Sequence, residues 1–149
     1  MDPYDSEKAA RVWQRVHSTP NSSPSAPGLS ALLLQLRQLE AVYRALLRQT
    51  AAHGAVLRSL ADRKHAQAAC IRGLHILTAG SCPEPSIPHP KPEPISTALR
   101  RCCTIEMQLS SHFDLHSADP ACGPVFSDLA AEQRQICRSL AALLGQLER

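Results

Sequence analysis

Between Leu29 and Ala79 the chain carries two apolar seams of helical period, and each is broken midway by polar side chains at nearly the same level. Leu29, Leu32, Leu36, Glu40, Tyr43 and Leu47 recur three and four apart, as do Leu57, Leu60, Lys64, Gln67, Ile71 and Leu74. The spacing predicts two antiparallel helices joined at Ala52, His53 and Gly54. At about 1.5 Å rise per residue, Glu40 before the turn and Lys64 after it fall at one height. The seams therefore place a carboxylate and an ammonium opposite each other inside the hairpin. Apolar seams require partners, and a charge within a seam requires a counter-charge at its own level.

Such a core must be made largely without aromatics, because Phe, Tyr and Trp make up 3% of the 149 residues. Leu, Ala, Val, Ile and Cys suit helices packed close together, and a chain of this length supports one core with appendages. The net charge of +3 comes from 16 basic and 13 acidic residues, with no basic block and no interleaved aromatics, which argues against nucleic-acid binding. Gln35, Arg37 and Glu40 interrupt the richest apolar stretch, so no membrane helix is expected, and with no apolar leader the expected location is the cytoplasm. Cys70, Cys102, Cys103 and Cys137 fall inside helical patterns, Cys82 and Cys122 in loops, and no C-x-x-C occurs. Buried free thiols are expected rather than disulfides or a zinc knuckle.

Outside the hairpin, Asp5 to Val16 forms a short helical pattern with Ala9, Val12, Trp13 and Val16 on one face. The Ser- and Pro-rich stretch from His17 to Gly28 links it to the rest. The short helix is expected to fold back onto the bundle. After the hairpin, Gly80 to Pro94 contains six prolines. At about 3.1 Å per residue a polyproline-like segment of that length spans about 45 Å, enough to run from one end of the helices to the other. A third helix is predicted from Ile95 to His116, with Ile95, Leu99, Cys102, Glu106, Leu109 and Phe113 on its seam. A fourth begins near Gly123 and Pro124, or a turn earlier at Asp119 and Pro120, with Phe126, Leu129, Gln133, Ile136, Leu140, Leu143 and Leu147. Glu106 and Gln133 break these seams as Glu40 and Lys64 break the first two. The halves look like a repeat: Leu39-Glu40 echoes Ile105-Glu106, and Leu60-Ala61 with Lys64 and Gln67 echoes Leu129-Ala130 with Gln133 and Ile136. The expected fold is all-α: a short N-terminal helix and linker over 1–28, then a four-helix bundle over 29–149, two antiparallel hairpins joined by a long crossover.

Over 29–149 this pattern resembles the ferritin-like superfamily, and within it the rubrerythrin-type bacterial proteins. The resemblance implies a di-iron site of one Glu on each of two helices and a Glu-x-x-His on each of the other two, all directed inward. The single glutamates correspond to Glu40 and Glu106. The first Glu-x-x-His falls on Lys64 and Gln67, the second on Gln133 and Ile136. Four of the six ligand positions thus lack a ligand, and the implied reading is a bundle that has lost di-iron chemistry. In a second register Asp62 and His65 have the spacing and Glu132 with Gln135 half has it, but at 100° per residue Asp62 and His65 point away from the seam.

Other candidates are weaker. His112 and His116 stand i, i+4, Cys102 lies one turn from Glu106, and Tyr43 is expected to pack against its seam. Arg37, Arg44, Arg48, Arg58 and Arg72 read as a solvated face. Neither a catalytic Ser-His-Asp set nor a Gly-rich phosphate loop is visible. Two function classes follow: a structural or partner-binding bundle without a cofactor, acting on an unknown protein or on itself, and an iron-binding metalloprotein of iron or peroxide handling using Glu40 and Glu106.

Overall fold

The computed structural model describes residues 25–149, and among them it contains four helices and no strand. The helices are α1 (Ala26–Gln49), α2 (Gly54–Ala79), α3 (Ile95–His116) and α4 (Gly123–Leu147). The chain is all-α over this range. The Trp13 helix and most of its linker lie outside the described residues.

Helix α1 begins three residues before the expected boundary, because Ser25 caps it. Its backbone is extended (φ −83°, ψ 158°), and its hydroxyl accepts from the Gly28 amide at 3.2 Å. Between α1 and α2 the left-handed residue is His53 (φ 61°), not the neighbouring glycine, which is the first residue of α2. Thr50 steadies this turn by accepting the Ala52 amide at 3.1 Å. Beyond it Arg44 meets Asp62, Glu40 meets His65 and Ser30 meets His75, so partners lie further apart in sequence the further they are from the turn. Gly80 ends α2 in the left-handed region, φ 83°, where glycine carries no Cβ penalty.

The segment from Gly80 to Pro94 has no regular helix or strand and runs beside α1. Glu84 pairs with Arg37 at 2.8 Å and with Arg72 at 3.3 Å, while Glu93 pairs with Arg101 of α3. Cys82, placed by its sequence in a loop, is buried. Helix α4 starts at Gly123, the later of the two expected positions. Asp119 Oδ1 fixes that turn by accepting the amides of Ala121 (2.8 Å) and Cys122 (2.7 Å).

The core is made of the seams. Leu57, Leu60, Ile71, Leu99, Leu109, Phe113, Phe126, Leu129, Ile136, Leu140 and Leu143 are all buried where the periodicity put them. Helix α1 differs in phase: Leu29, Leu32, Leu36, Leu39, Tyr43 and Leu46 are buried, so its inward row passes through Leu39 and Leu46 rather than Glu40 and Leu47. That row alternates steps of three and four, whereas the row through Glu40 takes two consecutive steps of four and drifts off the seam. No helix among the described residues is long and apolar enough to cross a membrane.

Gly123 tests the α3–α4 turn. A Cβ there would lie 2.7 Å from the Ser117 carbonyl oxygen, a backbone atom that cannot swing aside. Gly123→Ala is expected to cost about 1–3 kcal/mol as overpacking, read as a lowered midpoint in urea followed by circular dichroism. An unchanged midpoint would contradict this close approach.

Candidate functional site: a buried polar layer

Midway along the bundle, Tyr43 of α1, Lys64 and Gln67 of α2, Glu106 of α3 and Gln133 of α4 are all at most 1% exposed. Each occupies an inward position of an otherwise apolar seam, so burial of the flanking leucines carries it inside. An unpaired charge there would be costly, and the layer has the form that burial demands.

Lys64 Nζ has three donors and uses all of them. It lies 2.5 Å from Glu106 Oε1, 2.6 Å from Gln67 Oε1 and 2.9 Å from Gln133 Oε1. Glu106 is equally well met: Oε1 also accepts from Gln133 Nε2 at 3.0 Å, and Oε2 accepts from the Tyr43 hydroxyl at 2.9 Å. Gln133 Nε2 donates in addition to the Glu106 carbonyl at 2.9 Å, and Gln67 Nε2 donates to Gln133 Oε1 at 3.0 Å. Because an ammonium only donates, it fixes both amide orientations. One positive and one negative charge balance, and two neutral amides and a phenol complete their shells.

Burial sets the electrostatics. It lowers the Lys64 ammonium below its ordinary value, against the opposing pull of Glu106. Burial, reinforced by the Glu106 charge, holds the Tyr43 phenol well above its ordinary value, so the hydroxyl stays a donor. Burial also pushes the Cys102 thiol, beside Tyr43 and Glu106, up to about 12. A thiol held that far toward its protonated form is a poor nucleophile at neutral pH.

Of the residues expected at the site, the structure brings together Lys64, Gln67, Glu106 and Gln133, and it buries Ile136 in the adjoining core. Glu40 requires a correction. It lies at the expected height but on the outer side of α1, only partly buried, and does not meet Lys64. Its carboxylate is held by Arg37 (3.0 Å), Arg44 (3.3 Å) and His65 (3.1 Å). The flanking arginines at i−3 and i+4 were the available signal, since that spacing marks a surface ion-pair row. Tyr43 takes the inward place instead, as a hydrogen-bond donor rather than seam packing alone. Asp62 and His65 are exposed as the helix angle required. Arg37 departs from the expected solvated face, since its side chain is 16% exposed beneath Glu84. His116 is buried with its ring 4.5 Å from that of His112 and 5.1 Å from that of Phe126. The six cysteines are free; Cys82 and Cys102 are buried, and Cys70, Cys103, Cys122 and Cys137 only partly so. Among the described residues no group of three or more His, Cys, Asp and Glu is placed to hold a metal ion.

A di-iron centre does not fit this donor set. The interior offers one carboxylate, already neutralised by an ammonium, with amide and phenol groups where bridging carboxylates and imidazoles would be needed.

Two outcomes follow from the layer. Lys64→Met strands the Glu106 carboxylate and should cost about 3–5 kcal/mol at pH 7. Adding Glu106→Leu should recover most of the loss, because removing both partners leaves no uncompensated charge. Chemical denaturation of the parent and both variants at pH 7 checks this, and a near-neutral Lys64→Met would contradict it. The Cys102 thiol gives the second, at alkaline pH. Its folded value is raised from 9.0 to about 12, so its stability contribution is complete below 9.0 and lost as pH rises toward 12. The stability difference between the parent and Cys102→Ala should hold steady below that window and fall within it by up to about 1.4 kcal/mol per pH unit. A difference independent of pH from 8 to 12 would count against it.

Compared with protein-family models, with curated proteins and with solved structures, the chain matches none.

Proposed function

We propose that this chain is a non-catalytic helical bundle of ferritin-like connectivity, acting as a structural or partner-binding protein. In this reading α1–α2 and α3–α4 are antiparallel hairpins joined by the long crossover, and the interior that holds two irons in ferritin-like proteins is filled by a self-neutralising polar layer. One observation carries the reading: Lys64 Nζ takes the place of a bound cation, within 2.5–2.9 Å of three oxygens from three helices. An ammonium so placed excludes a metal by charge and by volume. The layer is also sealed. Its five side chains are at most 1% exposed, so the Glu106 carboxylate is out of contact with solvent, an arrangement unsuited to acid–base work on a substrate.

The purified protein, incubated anaerobically with ferrous iron and then desalted, should retain no stoichiometric iron by elemental analysis. Two irons retained per chain would end this reading and put an iron-handling metalloprotein in its place.

A further inference from the structure

From Ile87 to Pro94 the chain reads Ile-Pro-His-Pro-Lys-Pro-Glu-Pro, with proline at every second position. Each proline locks its own φ near −65°, and each forces the residue before it out of the helical region into extended or polyproline II backbone. All eight residues are therefore restricted before any tertiary contact forms. Pro94 shows the result, with φ −58° and ψ 141°. Burial along the segment repeats every third residue. Ile87, Pro90 and Glu93 are half-buried, while Pro88, His89, Lys91, Pro92 and Pro94 are exposed. A period of three is that of a polyproline II helix resting one edge on the bundle.

The strap is anchored on both sides. Upstream, the buried His75 ring donates from Nδ1 to the Ser81 carbonyl at 2.8 Å, Cys82 is buried, and Glu84 sits between Arg37 and Arg72. Downstream, Glu93 pairs with Arg101. Between these anchors a cleft of about 590 Å³ opens between the strap and Gln38, Ala41 and Val42 of α1, and Pro88, Lys91 and Pro92 line it together with the half-buried edge. Two of the three edges of a polyproline II helix are exposed to solvent, with their backbone already ordered. They carry Pro88, Pro92 and Pro94 with one cation, Lys91, among them.

We propose that the strap Pro88–Pro94 is a docking ligand for a protein domain that reads polyproline II helices through an aromatic-lined groove, with Lys91 meeting an acidic pocket beside it. Such domains grip two edges of a proline-rich helix and exploit its preformed backbone. A strap held by its third edge offers that arrangement within the folded protein. This deepens the partner-binding reading above and rests on it.

The test uses the full chain against a panel of isolated SH3, WW and EVH1 domains, followed by biolayer interferometry. At least one domain with an acidic pocket should bind saturably. Pro88→Ala with Pro92→Ala should weaken that binding about tenfold or more, and Lys91→Glu should weaken it and remove its salt dependence, both with unchanged helical circular dichroism. No saturable binding to any domain would overturn the proposal, as would binding indifferent to these substitutions. So would binding to a synthetic peptide of residues 84–95 but not to the folded chain, which would mean the bundle hides the strap. None of these failures bears on the non-catalytic reading of the interior, which the iron measurement decides separately.

Discussion

One ammonium group sets the terms for the interior of this bundle. Lys64 has three protons to place and no solvent to take them, so three acceptors must arrive within about 3 Å from Gln67 on its own helix, Glu106 on α3 and Gln133 on α4. Apolar side chains on these helices could slide or rotate with modest loss, because dispersion and burial are indifferent to direction. The ammonium is not. A turn of slippage by α3 or α4 would leave a bare charge in a dry interior, at several kcal/mol. The layer thus acts more as a register pin than as a source of net stability, the role best attested for buried polar groups elsewhere.

The layer also explains its own composition. A second carboxylate at position 133 would leave the interior with an excess negative charge; an apolar residue there would leave Lys64 and Glu106 each one partner short. Glutamine meets both demands, accepting from Lys64 through its oxygen and donating to Glu106 through its nitrogen. The Tyr43 hydroxyl, from α1, closes the remaining carboxylate oxygen. Four helices are joined through one set of hydrogen bonds, and each bond is strengthened by the low dielectric that would penalise its loss.

Outside the core, connections restrict what the packing must decide. Ser25, Thr50 and Asp119 each supply a side-chain oxygen to amides that helix ends and turns leave open. The segment from Gly80 to Pro94 is held from both sides by ion pairs and stiffened by its prolines, which reduces the entropy that closing a long loop would otherwise cost.

What the sequence by itself determined is whatever depends on period and local chemistry. The seams of α2, α3 and α4, the polar breaks at Lys64, Gln67, Glu106 and Gln133, and the non-helical segment from Gly80 to Pro94 were legible, and the start of α4 was narrowed to two positions a turn apart. A 3.6-residue period and a proline act within a few residues of themselves. The phase of α1 was only half legible: both Leu39 and Glu40 fit a three-or-four spacing, and choosing between them meant weighing Arg37 and Arg44 as surface partners. Which charge Lys64 meets was decided by tertiary structure alone. Glu40 and Glu106 stand at the same level, and sequence spacing gives height along a helix but not the angle at which a neighbouring helix presents its side chains. That angle follows from how four apolar faces close against one another, and closure turned Glu40 out to its arginines and Glu106 in to Lys64.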